Sequence, residues 1–282
     1  MQNTLITTYY TEELTVADSA NQLFIELSQR HIVCILLNSN KKMIIGFEFF
    51  PITDDETIIF RESMSSIFSK SMLLNKGYTN PHIFFNSSQC VTVPLIKFDE
   101  EFAADYLNTM FGEDYESEVQ TEHLTIMPGM MNVYRTDKVT TEVLKHKFPN
   151  ATFHHTYSNL IKRVMGNAGG NDAGFLSIQF YHQCFIAVAL KDGELQLIQT
   201  FEIETEDDIM YALLNISHQF SLDKQQMILQ ISGMIDSDNP IFERIKSVFK
   251  KVMVDEAIIY GFAAAAMDKP LHYFAPFLNL AL

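Results

Sequence analysis

The feature that most constrains this chain is a repeat of strands. Residues 21–50, "NQLFIELSQRHIVCILLNSNKKMIIGFEFF", alternate apolar and polar positions and are rich in β-branched residues. They predict three strands, with turns at Gln29-Arg30 and from Asn38 to Lys41. Residues 174–203 predict three more, over 174–181, 184–191 and 194–203, with a Lys-Asp-Gly-Glu turn at 191–194. The two triplets superpose without a gap: Ile25 falls on Ile178, Ile32 on Phe185, Leu37 on Leu190 and Ile44 on Leu197. After each triplet the pattern reads helix, strand, helix. A strand meander followed by helical crossovers implies a mixed sheet covered by helices, built twice.

The remaining segments fit that plan. Helical spacing runs through residues 54–73, with Asp54 and Asp55 at its start, and through 99–111, with Asp99 as N-cap. "HIFFNSSQCVTVPLIKF" is extended, and "EHLTIMP" and "MMNVYRT" read as strands. Helices follow at 137–148 and 155–166, separated by a short extended piece at Ala151 to Phe153. "GNAGGNDAG" (166–174) is a flexible connector between halves, which divides the chain into residues 1–168 and 169–282. In the second half, helices at 205–220 and 239–252 flank a strand at 226–232, and "EAIIYG" reads as a last short strand.

Composition supplies a core and excludes several function classes. Apolar residues make up 47% of 282, which rules out disorder. The net charge of −15 repels phosphate backbones and anionic membrane surfaces, and no basic stripe with interleaved aromatics offsets it. Nucleic acid and direct membrane insertion are therefore not expected. Cys34, Cys90 and Cys184 lie far apart in apolar runs without a CxxC pair, which points to a reducing compartment. No basic N-terminal region precedes an apolar core, and no apolar run reaches the ~20 residues of a membrane span. The expected location is cytoplasmic.

Repeated strand triplets of this kind resemble the actin-like ATPase fold. The likeness is strongest from Met131 to Ile245. "NVYRTDKVTTEVLKHKFPNATFHHTYSNLIKRVMGNAGGNDAGFLSIQF" resembles the path into the second phosphate hairpin, and "ISGMIDSDNPIFERI" the segment that holds the adenosine. "VTVPLIKFDEEFAADYLNTMF" further resembles an uncharacterised bacterial family assigned to this fold, the domain of unknown function 3822. The resemblance implies a duplicated actin-like (ribonuclease H-like) α/β fold, two mixed sheets with flanking helices.

Active relatives open each phosphate hairpin with Asp-x-Gly: the Asp orients magnesium and water, and the Gly lets backbone N–H groups approach the phosphates. This chain has Glu26-Leu27-Ser28 at the first hairpin and Gln179-Phe180-Tyr181 at the second. The Gly-Gly pair of the adenosine segment is reduced to Gly233-Met234. Ser28 and Tyr181 place a Cβ where a phosphate would press. The expectation is a non-catalytic scaffold without nucleotide, cofactor or metal. The alternative is a divergent ATPase or phosphotransferase, with Glu26 as its metal-orienting acid.

Other candidates read as structure. The Gly-rich 166–174 stretch leads from a helix into a strand, the reverse of a phosphate cradle. His154 and His155 point to opposite faces of an extended segment, and with His146 they lack a ligand set. His182 beside Cys184 has no orienting third group. The acidic runs "DEEFAADYL", "FGEDYESEVQTE" and "EIETEDDIM" lack the order of a calcium loop and read as solvated helix ends and loops. The tail "LHYFAPFLNLAL" is too apolar to stay in water. Leu271, Tyr273, Phe274, Phe277 and Leu278 either fold back on their own domain or dock on a protein partner or a second copy.

Overall fold

The computed structural model describes residues 7–15, 19–52, 60–167, 173–236, 238–256, 262 and 268–281. They form two compact units, the first reaching Asn159 and the second starting at Leu160. The division expected after residue 168 falls among residues outside the description, as do the start of the 54–73 helix, most of the Gly-rich stretch and most of "EAIIYG".

In the first unit β1 (Thr7–Tyr10) precedes the triplet β2 (Asn21–Leu27), β3 (His31–Asn38) and β4 (Met43–Pro51). Helix α1 (Phe60–Lys70) leads to β5 (His82–Phe85). An excursion then forms β6 (Cys90–Pro94), α2 (Ala103–Phe111), β7 (Ser117–His123) and β8 (Met130–Asp137). Next come α3 (Lys138–Lys147), β9 (Thr152–His155) and the start of α4 (Thr156–Asn167), whose residues from Leu160 on belong to the second unit. The main sheet runs β1-β4-β3-β2-β5-β9, and β6-β8-β7 is a separate three-stranded sheet. Val93, Ala103, Leu107 and Val133 form that small sheet's own core beneath α2.

The second unit repeats the plan with β10 (Phe175–Phe180), β11 (Cys184–Lys191), β12 (Glu194–Glu202), α5 (Glu206–Gln219), β13 (Ile228–Gly233), α6 (Pro240–Val248), β14 (Lys251–Val254) and α7 (Leu271–Leu278). Its sheet order is β12-β11-β10-β13-β14. The repeat holds to single residues. Ile25 pairs with Cys34, and its counterpart Ile178 pairs with Ala187. The register slips between Leu36 and Leu37 in one meander and between Ala189 and Leu190 in the other. A β-bulge is a defined feature of a strand pair, so its recurrence at equivalent positions marks one design used twice. Strands β3 and β11 are buried on both faces, which is why they read as continuous apolar runs.

Three expectations are corrected. "LTIMP" is a turn, closed by the Met127 N–H on the Leu124 carbonyl, because strand β7 has already ended at His123. The run "FGEDYESEVQTE" is not all loop: its second half is β7, an edge strand whose mostly polar side chains gave no apolar alternation. The helix expected to reach residue 252 stops at Val248, since Phe249 is extended (φ −100°, ψ 123°), and Lys251–Val254 pairs in parallel with β13. Asp99 does accept a helix-starting N–H, that of Glu101, in the 3₁₀ turn that leads into α2.

Two buried histidines give the first unit a pH dependence. Burial lowers the pKa of His31 from 6.5 to about 3. Burial likewise lowers His155 to about 4, against the opposing pull of Glu122 and of its bond to the Ser87 carbonyl. Both rings are neutral in the folded state and protonate more readily when the chain unfolds. Their contribution is complete above pH 6.5 and is lost as pH falls toward 4, at up to ~1.4 kcal/mol per pH unit for each group. Melting temperatures measured between pH 7.5 and 4.5 should fall on the acid side, and His155→Phe should flatten the slope. A profile level down to pH 4.5 would contradict this.

Candidate functional site

The residues that would face a nucleotide lie at the ends of β2, β10 and β13, and each station is described within its own unit. In the first unit Glu26 is fully buried. Its Oε1 accepts hydrogen bonds from Asn86 Nδ2 at 2.7 Å and from the Thr156 hydroxyl at 3.2 Å. Thr156 opens α4, so the carboxylate sits by the positive end of a helix. Asn86 is fixed by its own N–H on the Leu27 carbonyl.

The hairpin turn that follows is closed on itself. The Ser28 hydroxyl accepts from the backbone N–H groups of Arg30 (3.1 Å) and His31 (3.0 Å) and lies 2.9 Å from His31 Nδ1. The Ser28 N–H donates to the His31 carbonyl at 2.9 Å. Backbone donors that could grip an anion are thus engaged by a side chain of the same turn. The His31 ring is buried and neutral, and it stacks on Phe49 with centroids 5.6 Å apart. Nothing in this turn supplies positive charge from that ring.

The second hairpin differs in chemistry but is also filled. Buried Gln179 accepts from the Arg163 guanidinium at 3.4 Å, and Arg163 pairs with Asp255 at 2.5 Å. Tyr181 is buried, its N–H on the Cys184 carbonyl at 2.8 Å, and its ring meets Phe277 edge-on at 5.8 Å. The strand end at Gly233 has φ +98°. A Cβ there would lie 2.1 Å from the carbonyl oxygen of Phe180, its partner in the parallel ladder. This glycine is required by packing between β10 and β13. Met234 N–H then donates to the same Phe180 carbonyl at 2.8 Å.

Helix α7 covers the exit of β13. His272 Nε2 lies 3.0 Å from the Ile235 carbonyl, and Lys269 pairs with Asp236 at 2.7 Å. Phe274, Phe277 and Leu278 are buried, while Leu271 and Tyr273 are half-buried. The apolar tail therefore folds back on its own unit. Among the described residues, Phe277 meets Tyr181, while Leu271 and Tyr273 stay partly accessible.

The remaining candidates separate. His154 and His155 do face opposite ways: His154 Nδ1 meets Glu122 Oε1 at 2.8 Å, whereas His155 is buried against Tyr134 and the Ser87 carbonyl. Burial would raise the Glu122 pKa, but bonds from His154, Ser158 and the His155 N–H outweigh it and hold the carboxylate low. Among the described residues no cluster of three His, Cys, Asp or Glu could hold a metal ion. No disulfide joins Cys34, Cys90 or Cys184; Cys34 is fully buried and the others are half-buried. Among the described residues no helix is long and apolar enough to cross a membrane.

Sequence reasoning missed Asn86 and Thr156 as partners of Glu26, and it missed Glu48. That carboxylate, in the apolar run "MIIGFEFFP", is fully buried and accepts from the Tyr10 and Ser71 hydroxyls and from the N–H groups of Met72 and Leu73. An acid inside a strand buried on both faces was the signal.

Comparison with solved structures places the fold. A Bacteroides thetaiotaomicron VPI-5482 protein with an actin-like ATPase fold and unknown function superposes with a TM-score of 0.74 at 18% identity, over 84% of this chain and 91% of that one. The PilM-PilN type IV pilus biogenesis complex superposes with a TM-score of 0.60 at 11% identity, over 94% and 98%. The architecture is that of the actin-like ATPase fold. No curated protein matches the chain. Residues 12–252 match the family described as Protein of unknown function (DUF3822), and the chain belongs to that family.

Proposed function

We propose that this chain is a non-catalytic, actin-like module of the reducing cell interior that works by holding a protein partner and has lost nucleotide binding. The observation that carries the reading is the self-closure of the hairpin turns. Ser28 takes the Arg30 and His31 amides, and Tyr181 is packed under Phe277. A phosphate would have to break these contacts before gaining any of its own, and no aspartate or glycine replaces them. That Cys34, Cys90 and Cys184 form no disulfide supports the reducing location. That a neighbour in fold, PilM, was solved with PilN favours partner binding by analogy alone. Titration calorimetry with Mg-ATP should give no saturable heat.

A second reading is favoured by Glu26, a buried carboxylate retained at the end of β2. A divergent ATPase would use it to orient a metal ion. That reading requires ATP turnover that Glu26→Gln abolishes. Turnover absent from the wild-type chain, or equal in the variant, removes it.

A further inference from the structure

Among the described residues of the first unit, most of the exposed large apolar side chains lie on the β6–α2–β7 excursion. Ile96, Phe102, Met110 and Tyr115 are 93%, 53%, 67% and 78% exposed, and Leu95 and Phe111 are also exposed. Tyr106 and Met110 share one side of α2, and Phe102, its N-cap residue, lies four residues before Tyr106. Tyr106 ties the neighbouring turn to that side: its hydroxyl donates to the Lys97 carbonyl at 2.7 Å and accepts from the Asp99 N–H at 3.2 Å, and its ring stacks on Phe98. Ile96 lies in that turn, between Leu95 and Lys97, and is almost wholly exposed. The adjoining face of α2 is spent on Ala103 and Leu107 in the small core, against which Tyr106 and Phe98 also pack, while Phe102 and Met110 stay exposed. A rigid helix thus presents large apolar side chains to solvent, a pattern that marks an interaction site.

The electrostatics select the occupant. Between residues 95 and 127 there are nine acidic side chains and one basic one, Lys97. Glu100, Glu101 and Asp105, which neighbour Phe102 in sequence, make no ion pair among the described residues. Arg135, the buried cation beneath α2, is committed to Asn108 and to the Gly112 carbonyl. A second copy of a chain with net charge −15 would bring the same acids against these acids. A segment with one apolar face and a lysine- or arginine-rich border meets both demands.

We infer that the exposed Ile96, Phe102 and Met110, on α2 and the turns that lead into it, form a docking surface for a basic amphipathic helix of another protein. This deepens the partner-binding reading and rests on it. The test uses the full chain and a fluorescein-labelled 18-residue amphipathic peptide of leucine and lysine, with a leucine–glutamate peptide as control. Anisotropy should show saturable binding of the lysine peptide that weakens with salt, and none of the control. The double variant Ile96→Glu/Met110→Glu, altered at exposed positions, should keep its melting temperature and bind at least ~10-fold more weakly. Added negative charge would strengthen mere ionic attraction, so a loss reports the apolar contact. Equal binding by the variant, or no binding by the wild-type chain, overturns the inference. So does a wild-type dimer, seen by light scattering, that the variant dissolves, because the face would then belong to a second copy. The Mg-ATP titration is independent of all these outcomes. A silent titration with no peptide binding leaves the non-catalytic reading standing and removes only this surface.

Discussion

Gly233→Ala is expected to lower the melting temperature by on the order of 10 °C, through loss of the second unit. Two costs add. The backbone at Gly233 holds φ +98°, a conformation that costs an L-residue roughly 1–3 kcal/mol. The new methyl would also lie 2.1 Å from the Phe180 carbonyl oxygen and 2.6 Å from its nitrogen, both backbone atoms with no rotamer to yield. Relief requires β13 to move away from β10 at the point where the Met234 N–H is bonded to that same carbonyl. Overpacking of this kind costs about 1–3 kcal/mol more. Thermal unfolding followed by circular dichroism checks the sum. A variant that melts with the wild type would mean that β13 ends differently.

Phe277→Ala is expected to cost roughly 3–5 kcal/mol, the usual range for truncating a buried aromatic. The ring is fully buried and contributes its edge to Tyr181. The variant should melt lower, and Tyr181 should become accessible to solvent. Mass per particle in light scattering should not change, because the side chain is spent inside its own unit. An unchanged melting temperature with a changed particle mass would instead make the tail a contact between molecules.

How much of this was legible in the sequence depended on the range of the interaction. Period-2 alternation is local, so the two strand triplets and their register could be read directly, down to the equivalence of Ile25 and Ile178. Strand β7 could not, because an edge strand with polar side chains on both faces carries no alternation to find. Strand β14 has four residues, too few for a period, and its two neighbouring lysines read as a helix end. The departures at Ser28 and Tyr181 were visible as residue types, but not what those residues do. Ser28 acts within its own turn, which a reading of the turn's hydroxyl and amides could have found. Glu26 meets Asn86 and Thr156, sixty and one hundred and thirty residues away. Such pairings arise only once the sheet order is known. The tail's apolar character was plain, but its seat against Tyr181 follows from the three-dimensional path of β13.

The account turns on whether the hairpin amides are already taken. Amide-resolved NMR of the ¹⁵N-labelled chain during a Mg-ATP titration reads this at the atoms concerned. The Arg30, His31 and Tyr181 N–H resonances should stay in place up to millimolar nucleotide. Saturable shifts of those three signals would show the turns opening to grip phosphate, and would contradict this expectation.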